Sequence, residues 1–170
     1  LSAVELGIRS VKELLNRCNI DPSSGIIDEV LFGQVLQSGA GQAPARQVAL
    51  GAGLPNTIAA TTINKVCGSS LKAVMMAANS IKAGEYKAII AGGMESMTNA
   101  PKFEKRNGDE KEMVSTMVHD GLWDVYNDVH MGNTGEIVAN ECNISREKMD
   151  AFAARSQNNA AQAEANGWFD

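Results

Sequence analysis

Apolar side chains recur at intervals of three and four residues at the beginning of the chain. This spacing predicts an amphipathic helix from about Ser2 to Arg17. Its predicted inward stripe is Val4, Ile8, Val11, Leu15 and Cys18. Ser2 stands three residues before Glu5, which is the spacing of a capping box. The first helix therefore has a predicted start as well as a predicted buried face.

Two strand-like apolar runs lie on either side of a long apolar segment in the middle of the chain. The runs are Thr57–Val66 and Lys87–Ala91. Residues Gly68–Ala83 between them are apolar on nearly every side, so we expect a buried helix. Strand, helix and strand in this order form the βαβ unit of a parallel sheet. An earlier strand at Glu29–Gly33 and a helix near Ala45–Leu50 are also predicted.

The character of the chain changes after Pro101, and we predict a domain boundary there. Residues 1–101 are expected to form an α/β domain, and residues 102–170 a mostly helical excursion with a loop-rich beginning. The mixed charges of Lys102–Glu112 are typical of a solvated surface segment. A final helix is predicted to begin after the N-cap Ser145. Its predicted inward stripe is Met149, Phe152, Ala153, Ser156, Ala160 and Ala163.

Bulk composition excludes several classes of partner. The 170 residues suit one domain, or one domain and part of another. Hydrophobic residues make up 44% and charged residues 21%, as in ordinary globular proteins. The net charge of −5 argues against nucleic acid, because its binders concentrate Lys and Arg. No apolar run approaches the roughly 20 residues of a membrane span, so we expect no membrane partner either.

The chain contains three cysteines, Cys18, Cys67 and Cys142, far apart in sequence. Their number is odd and no pair has the spacing of metal ligands, which favours a reducing compartment. Cys18 and Cys142 lie on or at the end of predicted helices, and we interpret both as small buried hydrophobic residues.

Cys67 has a different setting, because it joins a predicted strand to a predicted helix. The first N–H groups of a helix have no intrahelical partner and carry partial positive charge, which stabilises a thiolate. This arrangement suits covalent catalysis through sulfur. A cysteine in apolar surroundings can also be a purely structural residue. The small neighbours Gly68, Ser69 and Ser70 leave room around the sulfur and favour the reactive interpretation.

A nucleophilic cysteine needs a proton acceptor, and the chain has two histidines, His119 and His130. Neither adjoins Cys67 in sequence, and a structural role is the commoner one for a histidine. His119 is expected in a solvated loop, and His130 beside Met131 at the wall of a pocket. A cysteine hydrolase is therefore an alternative without a local signature to support it.

Several long motifs closely resemble the thiolases. Ile63–Pro101 contains NKVCGSSLKAV and AGGMESMTNAP, which resemble the nucleophile region of that family. The likeness extends to Val35–Arg46, to Met113–Gly135, which is similar to the family's loop domain, and to Ile144–Trp168. The resemblance therefore covers essentially the whole chain. It implies a thiolase-like fold, in which a βαβ half forms α/β/α layers and a mostly helical loop domain follows.

The resemblance also implies a set of site residues. Cys67 matches the acyl-accepting nucleophile, and its own backbone N–H matches one donor of an oxyanion hole. Leu122, His130 and Met131 match loop-domain positions that line the pocket for CoA and the acyl group. Ser70 stands where glycine is commonest in the family, and its side chain narrows the space near the sulfur.

The implied activity is that of an acetyl-CoA acetyltransferase. Such an enzyme condenses two acetyl-CoA molecules to acetoacetyl-CoA and CoA, or runs the reverse thiolysis, through an acyl-cysteine intermediate. It needs no cofactor besides the CoA thioester that is its substrate. The resemblance also implies a homodimer or homotetramer, with Met97–Met113 packing subunits together in tetrameric members. We expect a cytoplasmic protein, with the mitochondrion as the alternative.

Parts of the family pattern do not occur in this sequence. Thiolases are about twice as long, and their second half carries a Gly-His-Pro histidine and a Cys-x-Gly cysteine. The chain also opens at Leu1, inside a predicted helix, without the family's first strand, an initiator Met or a signal peptide. We therefore expect a fragment that is inactive by itself and lacks its true N-terminus.

Two further alternatives share the fold. One is a ketoacyl synthase, although Met94-Glu95-Ser96-Met97 and the segment His130–Gly132 favour a thiolase. The other is a catalytically silent thiolase-like protein that binds acyl-CoA.

Overall fold

A three-stranded parallel sheet forms the centre of the first compact unit of the protein. The computed structural model describes residues 1–169 and orders this sheet β2-β1-β3. The strands are β1 (Glu29–Gly33), β2 (Ala59–Ile63) and β3 (Ile89–Gly93). The last four residues of β1 are buried, as expected for a central strand that is covered on both faces.

Helices cover both faces of this sheet. Helices α1 (Ala3–Arg17) and α2 (Pro44–Gly51) pack on one face, and α3 (Ser69–Ala83) packs on the other. The side chains of β1 alternate between the two resulting cores. Val30 and Phe32 join the core beneath α1 and α2, whereas Leu31 packs with small residues of α3. These layers confirm the predicted α/β class.

Helix α1 begins and packs as predicted. The Ser2 Oγ accepts from the Glu5 N–H at 3.2 Å, and the Glu5 carboxylate accepts from the Ser2 N–H at 2.7 Å. Val11 and Leu15 are buried against the sheet layer. The predicted burial of Cys18 is wrong, because this residue caps the C-terminus of the helix and is exposed. The buried stripe ends at Leu15, in the last turn of the helix.

Both strands of the βαβ unit are displaced from their predicted limits. Strand β2 stops at Ile63, because the next five residues form a turn. Strand β3 begins two residues late and continues through Gly92 and Gly93. The Asp28 carboxylate explains the late start, since it accepts from the N–H groups of Lys87 at 2.7 Å and Ala88 at 2.9 Å.

Helix α3 forms at the predicted position but is not buried all round. Only Ser69, Ala73 and Ala77 are buried, because the sheet contacts a narrow stripe of small residues. Four of the larger apolar side chains point away from that stripe and are exposed. They are Leu71, Val74, Met75 and Ile81.

A hairpin follows Pro101 where a charged surface segment was predicted. Strands β4 (Lys102–Asn107) and β5 (Glu110–Ser115) pair in antiparallel register around Gly108, whose φ is 63°. Its residues are mostly exposed, in agreement with the solvated interpretation, but the sequence lacks the apolar alternation that marks a strand. A π-helix, Met117–Leu122, ends this unit.

The second compact unit begins at Trp123. It contains the two-residue strands β6 (Trp123–Asp124) and β7 (Val129–His130), then helices α4 (Met131–Glu141) and α5 (Arg146–Ala165). The boundary between the two units therefore differs from the domain boundary that the composition predicts near Pro101. The boundary near Pro101 stays a prediction.

Helix α5 starts at its predicted cap, but its predicted inward stripe is wrong. The Ser145 Oγ accepts from the Lys148 N–H at 3.4 Å. Of the six stripe residues only Ala163 is buried, and Phe152 is 64% exposed. Cys142 caps α4 and is exposed, so the buried role predicted for it is also wrong. Every helix within residues 1–169 is too short or too polar to span a bilayer.

Leu31 is expected to be the most sensitive apolar position beneath α3, because it is 2% exposed and the other two buried residues of its cluster are alanines. Leu31→Ala should lower the free energy of unfolding by about 2–5 kcal/mol. Leu14→Ala, at a position 44% exposed on α1, should change it by less than about 1 kcal/mol. Urea unfolding followed by circular dichroism measures both values. Equal effects would contradict this packing.

Asp28 should make stability depend on pH. The N–H groups of Ala88 and Lys87 hold the pKa of its carboxyl below the ordinary value of 3.8. A lowered folded-state pKa gives stability that is present above the unfolded pKa and is lost as pH falls through the folded pKa. Asp28→Asn should therefore lower Tm at pH 7, and the difference from the wild type should shrink below about pH 4. Asp109→Asn, which removes a charge in the exposed hairpin turn, controls for net charge in the same thermal scans.

Candidate active site

Cys67 lies between β2 and α3, as the sequence predicts, but in a tight turn rather than directly after the strand. The turn is closed by the Gly68 N–H, which donates to the Lys65 carbonyl at 3.0 Å. The Ser69 N–H donates to the Val66 carbonyl at 3.1 Å. Gly68 is the N-cap of α3, so Cys67 stands directly before the N-terminus of the helix. There the unpaired N–H groups of the first turn favour negative charge.

Two glycines allow the start of α3 to approach the sheet. A Cβ atom on Gly33 would lie 2.6 Å from the Ser69 Cβ and 2.8 Å from the Ser70 backbone N. A Cβ atom on Gly93 would overlap the Ser70 Oγ and lie 3.1 Å from the Gly33 carbonyl oxygen. Real Cβ atoms do not tolerate the separations at Gly33, so only glycine at the end of β1 permits this packing. At Gly93 the Ser70 hydroxyl would have to move to make room for a Cβ atom.

The sulfur-bearing turn opens onto a cavity of about 410 Å³. Cys67 is exposed within it. The cavity lies at the carboxyl ends of β1 and β3, the edge where parallel sheets commonly bind ligands. Its walls come from the β1 end, the Cys67 turn, the β3 end and the π-helix. They include Gly33, Gln34, Val35, Leu36, Val66, Ser69, Ser70, Gly93, Met94, Glu95, Met97, Met117, Gly121 and Leu122.

Glu95 holds one wall of the cavity in place, a role that sequence reasoning missed. Its carboxylate accepts from the Val35 N–H at 2.8 Å and from the Leu36 N–H at 3.3 Å. These bonds connect the loop after β3 to the loop after β1. Glu95 belongs to the motif Met94–Met97, which resembles the family pattern. Its structural role could not be read from that motif, because its partners lie about 60 residues away in sequence.

Gln34 is a second wall residue that the sequence did not reveal. Its side chain is 2% exposed, and its Nε2 donates to the Leu36 carbonyl at 3.1 Å. Its Oε1 has no hydrogen-bond partner within residues 1–169. A glutamine directly after a strand carries no sequence signal for burial, since this residue type is mostly exposed.

The structure brings Leu122 and Cys67 to the same cavity. His130 and Met131 belong to the second unit, where His130 is the N-cap of α4. The His130 Nδ1 accepts from the Gly132 N–H at 3.0 Å, and Met131 is 45% exposed. The contacts of His130 and Met131 with CoA stay predictions.

His119 does not line the cavity, although its π-helix supplies part of the wall. Its Nδ1 lies 2.8 Å from the Asp120 Oδ1, and its ring packs edge-on against Phe103. This geometry gives the alternative of a cysteine hydrolase no support. Within residues 1–169, no group of three or more His, Cys, Asp or Glu side chains could hold a metal ion.

Comparison with known proteins identifies the family. The model of the thiolase N-terminal domain matches residues 1–170, and the chain belongs to the thiolase family. It is 51% identical to an acetyl-CoA acetyltransferase of Cupriavidus necator, over the whole chain and 44% of that protein. It is 47% identical to acetyl-CoA acetyltransferase 2 of Arabidopsis thaliana, over 99% of the chain and 43% of the relative. The chain thus spans less than half the length of these relatives.

Replacing Gly33 should disturb the site and the fold together. Gly33→Ala places a Cβ atom against Ser69 and is expected to lower the free energy of unfolding by about 1–3 kcal/mol. Displacement of the α3 N-terminus should also change the rate at which iodoacetamide alkylates Cys67. Gly135→Ala is the matched control, because a Cβ atom there meets nothing within 4 Å. If Gly33→Ala left both the free energy of unfolding and the alkylation rate of Cys67 unchanged, the helix would not approach the sheet this closely.

Proposed function

We propose that the protein is an acetyl-CoA acetyltransferase in which Cys67 carries the acetyl group. The observation that supports this most directly is the position of Cys67, exposed in a cavity directly before the N-terminus of α3. Several relatives with 47–51% identity over nearly the whole chain are named acetyl-CoA acetyltransferases. The relatives' names indicate the substrate class, and the site supplies a residue able to react with it.

In the first half-reaction, the Cys67 thiolate attacks the carbonyl carbon of a CoA thioester. A new carbon–sulfur bond forms to Cys67, the bond to the CoA sulfur breaks, and CoA leaves as a thiolate. Negative charge develops on the carbonyl oxygen in the transition state and needs a hydrogen-bond donor. The backbone N–H of Cys67 is available for this role, since it takes part in none of the backbone hydrogen bonds of residues 1–169.

In the second half-reaction, the methyl carbon of another acetyl-CoA loses a proton to a base and attacks the acetyl-Cys67 carbonyl. A carbon–carbon bond forms, the Cys67 thiolate leaves, and acetoacetyl-CoA is released. Thiolysis is the same sequence in reverse. The family resemblance assigns the proton transfers to a Gly-His-Pro histidine and a Cys-x-Gly cysteine, and neither motif occurs in the 170 residues. We assign no base within them.

The residues that line the cavity favour a small acyl group over a larger one. The Ser70 Oγ lies directly above Gly93, where the side chain takes space near Cys67. Leu122 contributes apolar surface to the same cavity. We further propose that His130 and Met131 contact CoA, and that the enzyme is a homodimer or homotetramer located in the cytoplasm or mitochondrion. No cofactor besides the CoA thioester is required, because the thioester is already an activated acyl donor.

Acetyl labelling of Cys67 tests this function. The protein, purified as its gene encodes it, is incubated with acetyl-CoA labelled in the acetyl carbonyl and then digested. We expect label on the peptide that contains Cys67 and none in Cys67→Ser, because a serine hydroxyl is far less nucleophilic than a thiolate. Cys18→Ser and Cys142→Ser should retain the label, since both residues lie at helix C-termini. A folded wild-type protein that binds CoA but takes up no label would instead be a silent acyl-CoA-binding protein.

A further inference from the structure

The turn that carries Cys67 contains a residue in an unfavourable backbone conformation. Val66 has a φ of 47°, in the left-handed region that β-branched residues rarely adopt. Such a residue persists only where its surroundings hold it. Because the peptide bond is planar, the Val66 carbonyl and the Cys67 N–H share one rigid unit and point in opposite directions. Whatever holds the Val66 carbonyl therefore also sets the direction of the Cys67 N–H.

The hydroxyl of Ser69 is one of two donors that hold that carbonyl, which also accepts from the Ser69 N–H at 3.1 Å. Its Oγ donates to the Val66 carbonyl oxygen at 2.6 Å and accepts from the Lys65 N–H at 2.9 Å. One hydroxyl thus connects the peptide unit before Lys65 with the peptide unit after Val66. Ser69 is 4% exposed, so water competes little for these bonds.

Ser69 does not serve the usual purpose of a serine at the start of a helix. Such a serine commonly caps the helix by accepting from a first-turn N–H. Helix α3 has no side-chain cap, and the Ser69 hydroxyl instead reaches back into the turn. The backbone of Gly33 packs against the Ser69 Cβ, so the side chain is fixed against the end of β1.

We propose that Ser69 is a positioning residue for acyl transfer. Through the Val66 carbonyl, it orients the Cys67 N–H so that this group can donate to the oxygen of the reacting thioester. The proposal depends on the function proposed above for Cys67. Ser69 itself touches neither sulfur nor substrate in this role, and its effect belongs to the transition state rather than to CoA binding.

The test compares two reactions of the same sulfur in the protein as its gene encodes it. In Ser69→Ala, acetyl transfer to Cys67 should slow about tenfold, because a misdirected oxyanion donor stabilises the transition state less. The KM for acetyl-CoA should stay within about twofold of the wild type. Alkylation of Cys67 by iodoacetamide develops no oxyanion and should slow less than about threefold. Ser10→Ala is the control, since the Ser10 hydroxyl also donates to a carbonyl, that of Leu6, on the exposed surface of α1.

A second variant tests whether Ser69 acts through Val66. It also distinguishes this effect from a loss of folding. Glycine adopts a positive φ without strain, so Val66→Gly combined with Ser69→Ala should recover most of the lost acetyl-transfer rate. A folded double variant without recovery would contradict the proposal. So would equal slowing of acetylation and alkylation in Ser69→Ala, or an acetylation rate equal to that of Ser10→Ala. Failure of the wild type to take up acetyl while iodoacetamide still reacts would instead overturn the function proposed for Cys67.

Discussion

The close contact between the first turn of α3 and the ends of β1 and β3 is the constraint on which the site depends. Gly33 and Gly93 leave no side chain at the contact, so Ser69 and Ser70 pack on bare backbone. The chain must then pass from β2 to α3 in five residues, and Val66 takes a left-handed conformation to do so. Cys67 follows this turn, so the packing of a helix on a sheet determines where the sulfur lies.

Two sets of polar contacts stabilise the cavity around that sulfur, one between distant segments and one within the turn itself. Glu95, in the loop after β3, holds the loop after β1 in place. Ser69 holds the turn before α3 in place. These groups bond mainly to backbone, so the shape of the cavity depends on main-chain geometry more than on the size of its side chains. This division leaves the small side chain of Ser70 to set how much space the cavity has beside the β3 end.

Local patterns predicted elements well where one physical signal dominated. The 3.6-residue stripe and the Ser2–Glu5 box predicted α1, because helix periodicity and capping are short-range properties. The same reasoning failed for α3 and α5, whose apolar residues are largely exposed, since periodicity cannot say how much of a helix a neighbour covers. It also failed for the β4–β5 hairpin, whose mixed charges conceal the strand pattern.

The sequence by itself determined the α/β class and the family, and it singled out Cys67 as the predicted nucleophile, because the long motifs around Cys67 carry the family pattern. Only the tertiary structure decided which residues surround the sulfur. Gln34, Glu95 and the Ser69 bridge became visible through contacts that depend on the sheet order β2-β1-β3 and on the packing of α3. The Glu95 bonds join residues about 60 positions apart. The Gln34 and Ser69 bonds are local in sequence, but both side chains are buried by elements remote in the chain, and no local pattern of hydrophobicity, charge or turn residues encodes that burial.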